Sequence, residues 1–154
     1  MMKRMFAVFV LMVLALAGWI GFRSVATVVV DGSAVQSPDQ VVDAFYQAYI
    51  GSIGDRFSDD FHNPLVERTY RDLPQLSPAL VKEIDAKLEA ADFIVADPFL
   101  CAQDIPGEVW VKAVEVNDDR AVVSVETDFA DHQMAVILDR MPEGWQITAI
   151  NCKQ

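Results

Sequence analysis

The texture of the chain changes once, near Asp92, and that change limits the folds open to it. Before it, apolar residues recur at helical spacing; after it, β-branched and aromatic residues fill short runs parted by turn residues. Ser37-Pro38-Asp39-Gln40 sets a capping serine ahead of a first-turn proline, with Gln40 placed to complete a capping box. Val41, Val42, Phe45, Tyr46, Tyr49 and Ile50 then build one apolar helix face, closed by Gly51 or Gly54. Ser77-Pro78 repeats the start signal, and Leu80, Val81, Ile84 and Leu88 keep the spacing to about Ala90. Lys82, Glu83, Asp85, Lys87 and Glu89 cover the solvated sides of this second helix. Between the two, Asn63-Pro64 predicts a short helix across Leu65 to Tyr70, followed by an irregular stretch from Asp72 to Leu76.

Glu108 to Val116, Arg120 to Phe129, Gln133 to Arg140 and Gly144 to Cys152 predict four strands. Their turns are Asn117-Asp118-Asp119, Asp131-His132 and Pro142-Glu143. In the last strand Trp145, Ile147 and Ala149 form an apolar face, and Gln146, Thr148 and Ile150 a mixed one. Helices followed by a meander imply an α+β domain, with N-terminal helices packed on one face of a four-stranded antiparallel sheet. No repeat or low-complexity tract competes with this.

Ahead of the domain, Lys3 and Arg4 precede an uncharged run from Met5 to Phe22, a basic n-region and apolar segment of the kind the secretion machinery reads. Two fates follow from it. Ala15-Leu16-Ala17 is an A-x-A cleavage pattern, whereas the full run approaches the length of a membrane anchor, with Trp19 near its outer end. Leu16-Ala17-Gly18 also matches the start of a bacterial lipoprotein box, but Trp19 stands where the lipid-bearing cysteine must be. Residues 1–22 are thus a signal peptide or signal anchor, 23–36 a tether with a short strand at Ala26 to Val30, and 37–154 one domain. The predicted location is the periplasm, with inner-membrane anchoring by residues 5–22 if the leader is retained.

A net charge of −11, two units lower without Lys3 and Arg4, disfavours nucleic acid and anionic membrane surfaces as partners. A solvated acidic surface is its ordinary explanation, and a basic protein partner the sharper one. Cys101 and Cys152, the only cysteines, are predicted to form a disulfide, since the compartment is oxidising and no C-x-x-C spacing is present. A bridge closing a loop of about fifty residues contributes up to roughly 4 kcal/mol.

No P-loop, G-x-G-x-x-G, G-x-S-x-G or H-E-x-x-H is present, and the two histidines, His62 and His132, lie far apart. Neither a metal nor a cofactor is expected, and no residue is assigned as catalytic. The least generic stretch is Asp97-Pro98-Phe99-Leu100-Cys101-Ala102-Gln103-Asp104, which joins helices to sheet. Asp97, Gln103 and Asp104, with Tyr46 and Tyr49 from the first helix, are the candidate lining of a cleft between the two halves. The competing account is structural: Asp97 before Pro98 is turn chemistry, and Asp104 suits an Asx turn ahead of Pro106-Gly107.

Pro38 with Val42-Asp43-Ala44-Phe45-Tyr46, Leu76-Ser77-Pro78-Ala79-Leu80, Asp97-Pro98-Phe99 with Ala102-Gln103-Asp104, and Gly144-Trp145-Gln146-Ile147 with Ile150 carry a family likeness. Together they resemble a bacterial domain-of-unknown-function family that includes YbjP-like envelope lipoproteins, over most of Ser37 to Cys152. The resemblance implies an NTF2-like or cystatin-like cone in the bacterial periplasm, its helices cupped by a curved sheet. Many members carry the lipidated cysteine that Trp19 replaces here, so lipid anchoring does not transfer, and no catalytic residues come with the resemblance.

Three functions fit these readings. The first is a non-catalytic periplasmic binding or accessory module that docks on an envelope protein complex. The second is an immunity protein that neutralises a periplasm-acting toxin, since such inhibitors are small, exported, acidic and free of motifs. The third is a cavity enzyme with Asp97 or Asp104 as general base near Tyr46 or Tyr49.

Overall fold

The computed structural model describes residues 35–54 and 61–152. The leader and the strand expected at Ala26 to Val30 lie outside the described residues, and so does the question of a membrane anchor at 5–22. Among the described residues, no helix is long and apolar enough to cross a membrane.

Helix α1 runs Pro38–Ile53 and ends at Gly54, whose φ of 68° lies in the region that favours glycine. At its start the Ser37 N–H donates to Gln40 Oε1 at 3.0 Å, one arm of the capping box. Helix α2 runs Pro78–Ala90, and here the Ser77 hydroxyl accepts the Leu80 N–H at 3.2 Å. The short helix expected after Asn63-Pro64 is a single turn instead. Asn63 Oδ1 caps the N–H groups of Leu65 and Val66, but Arg68 then adopts a left-handed φ of 62°, which breaks the helix. A 3-10 turn at Thr69–Asp72 follows.

Strands β1 (Val109–Asn117), β2 (Arg120–Thr127), β3 (Gln133–Met141) and β4 (Gly144–Cys152) form an antiparallel meander in sequence order. Two bulges interrupt its register. Lys112 is the extra residue in β1, between the pairs Val111↔Val125 and Ala113↔Ser124, and Thr148 is the extra residue in β4, between Leu138↔Ile147 and Ile137↔Ala149. The second bulge corrects the alternation read from the sequence: beyond it Ile150 lies opposite Val136 on the core face, while Ala149 lies opposite Ile137 on the other face. Ile150 accordingly packs against the core and Ala149 does not.

One apolar core lies between the helices and one sheet face. Val41, Val42, Phe45, Tyr46 and Tyr49 of α1 meet Val123 and Val125 of β2, Met134, Val136 and Leu138 of β3, and Trp145 and Ile147 of β4. Helix α1 crosses towards β1, β2 and β4, and α2 leans on β4. The outer edge of β4 is partly covered, because Ile147 exchanges backbone hydrogen bonds with Gln75 and Ser77 at 2.8 and 2.9 Å. Leu76 thereby pairs with β4 as a one-residue parallel bridge within the stretch read as irregular.

Candidate functional site

The segment joining α2 to β1 begins its fixed part at Asp97. One carboxylate oxygen accepts the N–H groups of Phe99 and Leu100 at 2.7 and 3.1 Å, and the other accepts the Tyr49 hydroxyl at 2.6 Å. The backbone closes the same turn, with Asp97 N–H donating to Ala102 O and Cys101 N–H donating to Asp97 O, both at 2.8 Å. Burial pushes the Asp97 carboxyl above its ordinary value, opposed by those three donors. Burial likewise raises Tyr49, and the neighbouring Asp97 charge adds to it.

Two long-range ties hold this turn on the sheet. Cys101 is disulfide-bonded to Cys152 at the end of β4, with Cα atoms 5.5 Å apart. His132, from the β2–β3 connection, reaches the Cys101 carbonyl through Nε2 at 3.2 Å and the Thr127 hydroxyl through Nδ1 at 3.0 Å. A carbonyl can only accept, so Nε2 is the donor to Cys101. Behind the turn, the Phe99 ring is fully buried among Phe45, Tyr49 and Tyr70, with centroids 5.0 to 5.6 Å apart.

In front of it lies an open groove of about 350 Å³ between the end of α1, the 61–65 turn and the 94–105 segment. Asp97, Gln103 and Asp104 all line it. Tyr49 stands behind Asp97 and reaches the groove through that carboxylate alone. Tyr46 is not part of it: its hydroxyl donates to the Phe99 carbonyl at 3.1 Å, and its flank borders a smaller groove between α1 and β1. Among the described residues no cluster of His, Cys, Asp or Glu is placed to hold a metal ion.

Three features of the site escape the sequence reading. The Gly107 N–H is held by both oxygens of Asp128, each at 3.1 Å, so a carboxylate just past the end of β2 ties down the turn ahead of β1. A hairpin histidine carries no sign that it will bridge a threonine to a cysteine carbonyl. The third was visible: Phe93-Ile94-Val95 is a run of three bulky apolar residues between Asp92 and Asp97, with neither helical nor strand periodicity to bury it. All three are exposed, at 74, 42 and 61 %. Ile94 and Val95 form one wall of the groove and Phe61 another.

No family model matches the chain, and no curated protein matches it. Solved structures do. Over 77 % of its length it superposes on 98 % of a chain of the type VI effector–immunity complex Tae3–Tai3 from Ralstonia pickettii in its selenomethionine form, with a TM-score of 0.60 and 23 % identity. The native form of that complex gives a TM-score of 0.57 at 23 % identity, again over 77 % of this chain and over 96 % of the other. At this identity the likeness is one of fold.

Proposed function

We propose that this protein is an exported immunity protein, a non-catalytic inhibitor that binds and neutralises a protein toxin reaching the compartment it occupies. The observation that carries the reading is that its fold coincides, over nearly the whole of the matched chain, with a component of an effector–immunity complex. The immunity role is assigned to this chain because it is acidic, with a net charge of −11, and has no catalytic motif. These observations favour the toxin-inhibitor reading over the general envelope accessory module. The leader and the Cys101–Cys152 bridge support export to an oxidising compartment. The bulges at Lys112 and Thr148, which bend a sheet, support the NTF2-like or cystatin-like cone as the finer description of the fold.

The geometry around Asp97 favours a scaffold over a general base. Its carboxylate is fixed by a tyrosine and two backbone amides of its own turn, an arrangement that satisfies local chain geometry without a substrate. The test is co-expression. The product of the gene adjoining this one, exported with and without this protein, should kill alone and be tolerated with it, and the pair should elute as one complex. Undiminished killing without a complex overturns the reading.

A further inference from the structure

Apart from Val35 and Val66, the exposed large apolar side chains of the described domain gather in two parts. One is strand β1, with Trp110, Val114 and Val116; the other is the groove region, with Phe61 and Phe93-Ile94-Val95. The second is the more contiguous, since Phe61, Ile94 and Val95 share one concavity and Phe93 adjoins it in the chain. Isolated exposed apolar residues are ordinary, but two consecutive ones walling a groove, with a third exposed beside them in the chain, mark a place where another surface excludes water.

The charge of the chain restricts what that surface can be. The chain carries 23 acidic against 12 basic residues. An anionic membrane surface and a second copy of this acidic chain are both repelled. A basic protein is attracted and steered in. The platform is also prearranged: the disulfide, the His132 bridge and the Asp97 turn fix the chain directly after Val95, so ordering it on binding costs little.

Resting on the immunity reading, we propose that this groove and the adjoining Phe93–Val95 run are the toxin-docking face, and that the toxin meets them with an apolar projection flanked by lysine or arginine. Phe93 is the expected hot spot, being large, aromatic and exposed before binding.

Calorimetry with the purified product of the adjoining gene tests this. Phe93→Ser should melt with the wild type, because the side chain is 74 % exposed, yet bind roughly thirtyfold more weakly or worse. Val95→Lys should also weaken binding, by placing a cation against a basic partner, while Val116→Ser on β1 should leave affinity unchanged. Wild-type affinity should fall as salt is raised. Tight wild-type binding unaffected by Phe93→Ser and Val95→Lys overturns the docking face and leaves the immunity reading standing. Loss on Val116→Ser alone moves the face to β1 and overturns it equally, and affinity that rises with salt overturns the basic partner. No binding by the wild type removes the immunity reading and this proposal together. Self-association broken by Phe93→Ser in sedimentation, or Phe93-dependent capture on phosphatidylglycerol vesicles, assigns the face to another occupant and overturns the proposal.

Discussion

Two tyrosine–aspartate pairs flank the same aromatic ring, and their chemistry runs in opposite directions. Tyr49 donates to Asp97 beside the groove, and Tyr70 donates to Asp85 on α2, while Phe99 stacks against both tyrosines. Asp97 has no described cation beside it, and burial raises its carboxyl. Asp85 has Arg68 at 3.3 Å and Arg71 at 3.0 Å, and the Tyr70 hydrogen bond followed by Arg71 holds its carboxyl below the ordinary value. The same pair of side chains therefore makes a neutralisable, inward anchor in one place and a charged, outward clasp in the other.

Removing the shared ring is the most damaging way to break this comparison. Phe99→Ala should cost about 3–5 kcal/mol in urea denaturation, because a fully buried ring touching both tyrosines leaves a cavity that the disulfide-held turn cannot collapse into. A mutant with only a small loss would mean that the two pairs are independently supported. Next in size is Cys152→Ala, expected to cost about 2–4 kcal/mol. Its effect should be lopsided: amide exchange at Phe99 and Leu100, held by Asp97, should quicken more than exchange within α2.

Hydroxyl deletions sharpen the contrast. Tyr49→Phe strips a donor from a buried carboxylate and should cost about 2 kcal/mol, whereas Tyr70→Phe leaves Asp85 its two arginines and should cost about 1 kcal/mol. Equal losses would show that the surroundings of the two acids do not matter. The smallest effects are the pH slopes. A raised carboxyl binds its proton more tightly folded than unfolded, so the Asp97 contribution falls as pH climbs from the ordinary carboxylate range to its folded value. A lowered one does the reverse: the Asp85 contribution is present above the ordinary range and is lost as pH drops through its folded value. Asp97→Asn should flatten the first slope and Asp85→Asn the second, measured as urea midpoints across the acid range.

What could be read in advance was whatever is encoded locally. Ser37-Pro38 and Ser77-Pro78 locate two helix starts because a cap and a first-turn proline need only their own neighbours, and β-branched runs with turn residues locate four strands to within a residue or two. The Cys101–Cys152 bridge is legible from the count of two cysteines and the expectation of export. The bulges at Lys112 and Thr148 are not legible, since an extra residue in one strand is defined only by its partner's register, and strict alternation past Thr148 puts Ala149 and Ile150 on the wrong faces. Asp85 looked like one more charge on a solvated helix face because Arg68 and Arg71 precede it by a turn whose left-handed residue no local signal announces. Of the cleft residues, Asp97, Gln103 and Asp104 do converge on one groove; Tyr46 sits on the face of α1 towards β1, and its helical spacing alone does not tell one buried flank from the other.

The bridge from Cys101 to Cys152 encloses all four strands in one covalent ring, its two ends 51 residues apart in sequence. A protease that cuts at Asp118-Asp119 or at Pro142-Glu143 therefore opens a loop without releasing a piece. The nicked chain runs as one band until a reductant is added, and only then as two. A single cut is therefore survivable, and the groove and its apolar wall stay attached to the sheet that supports them.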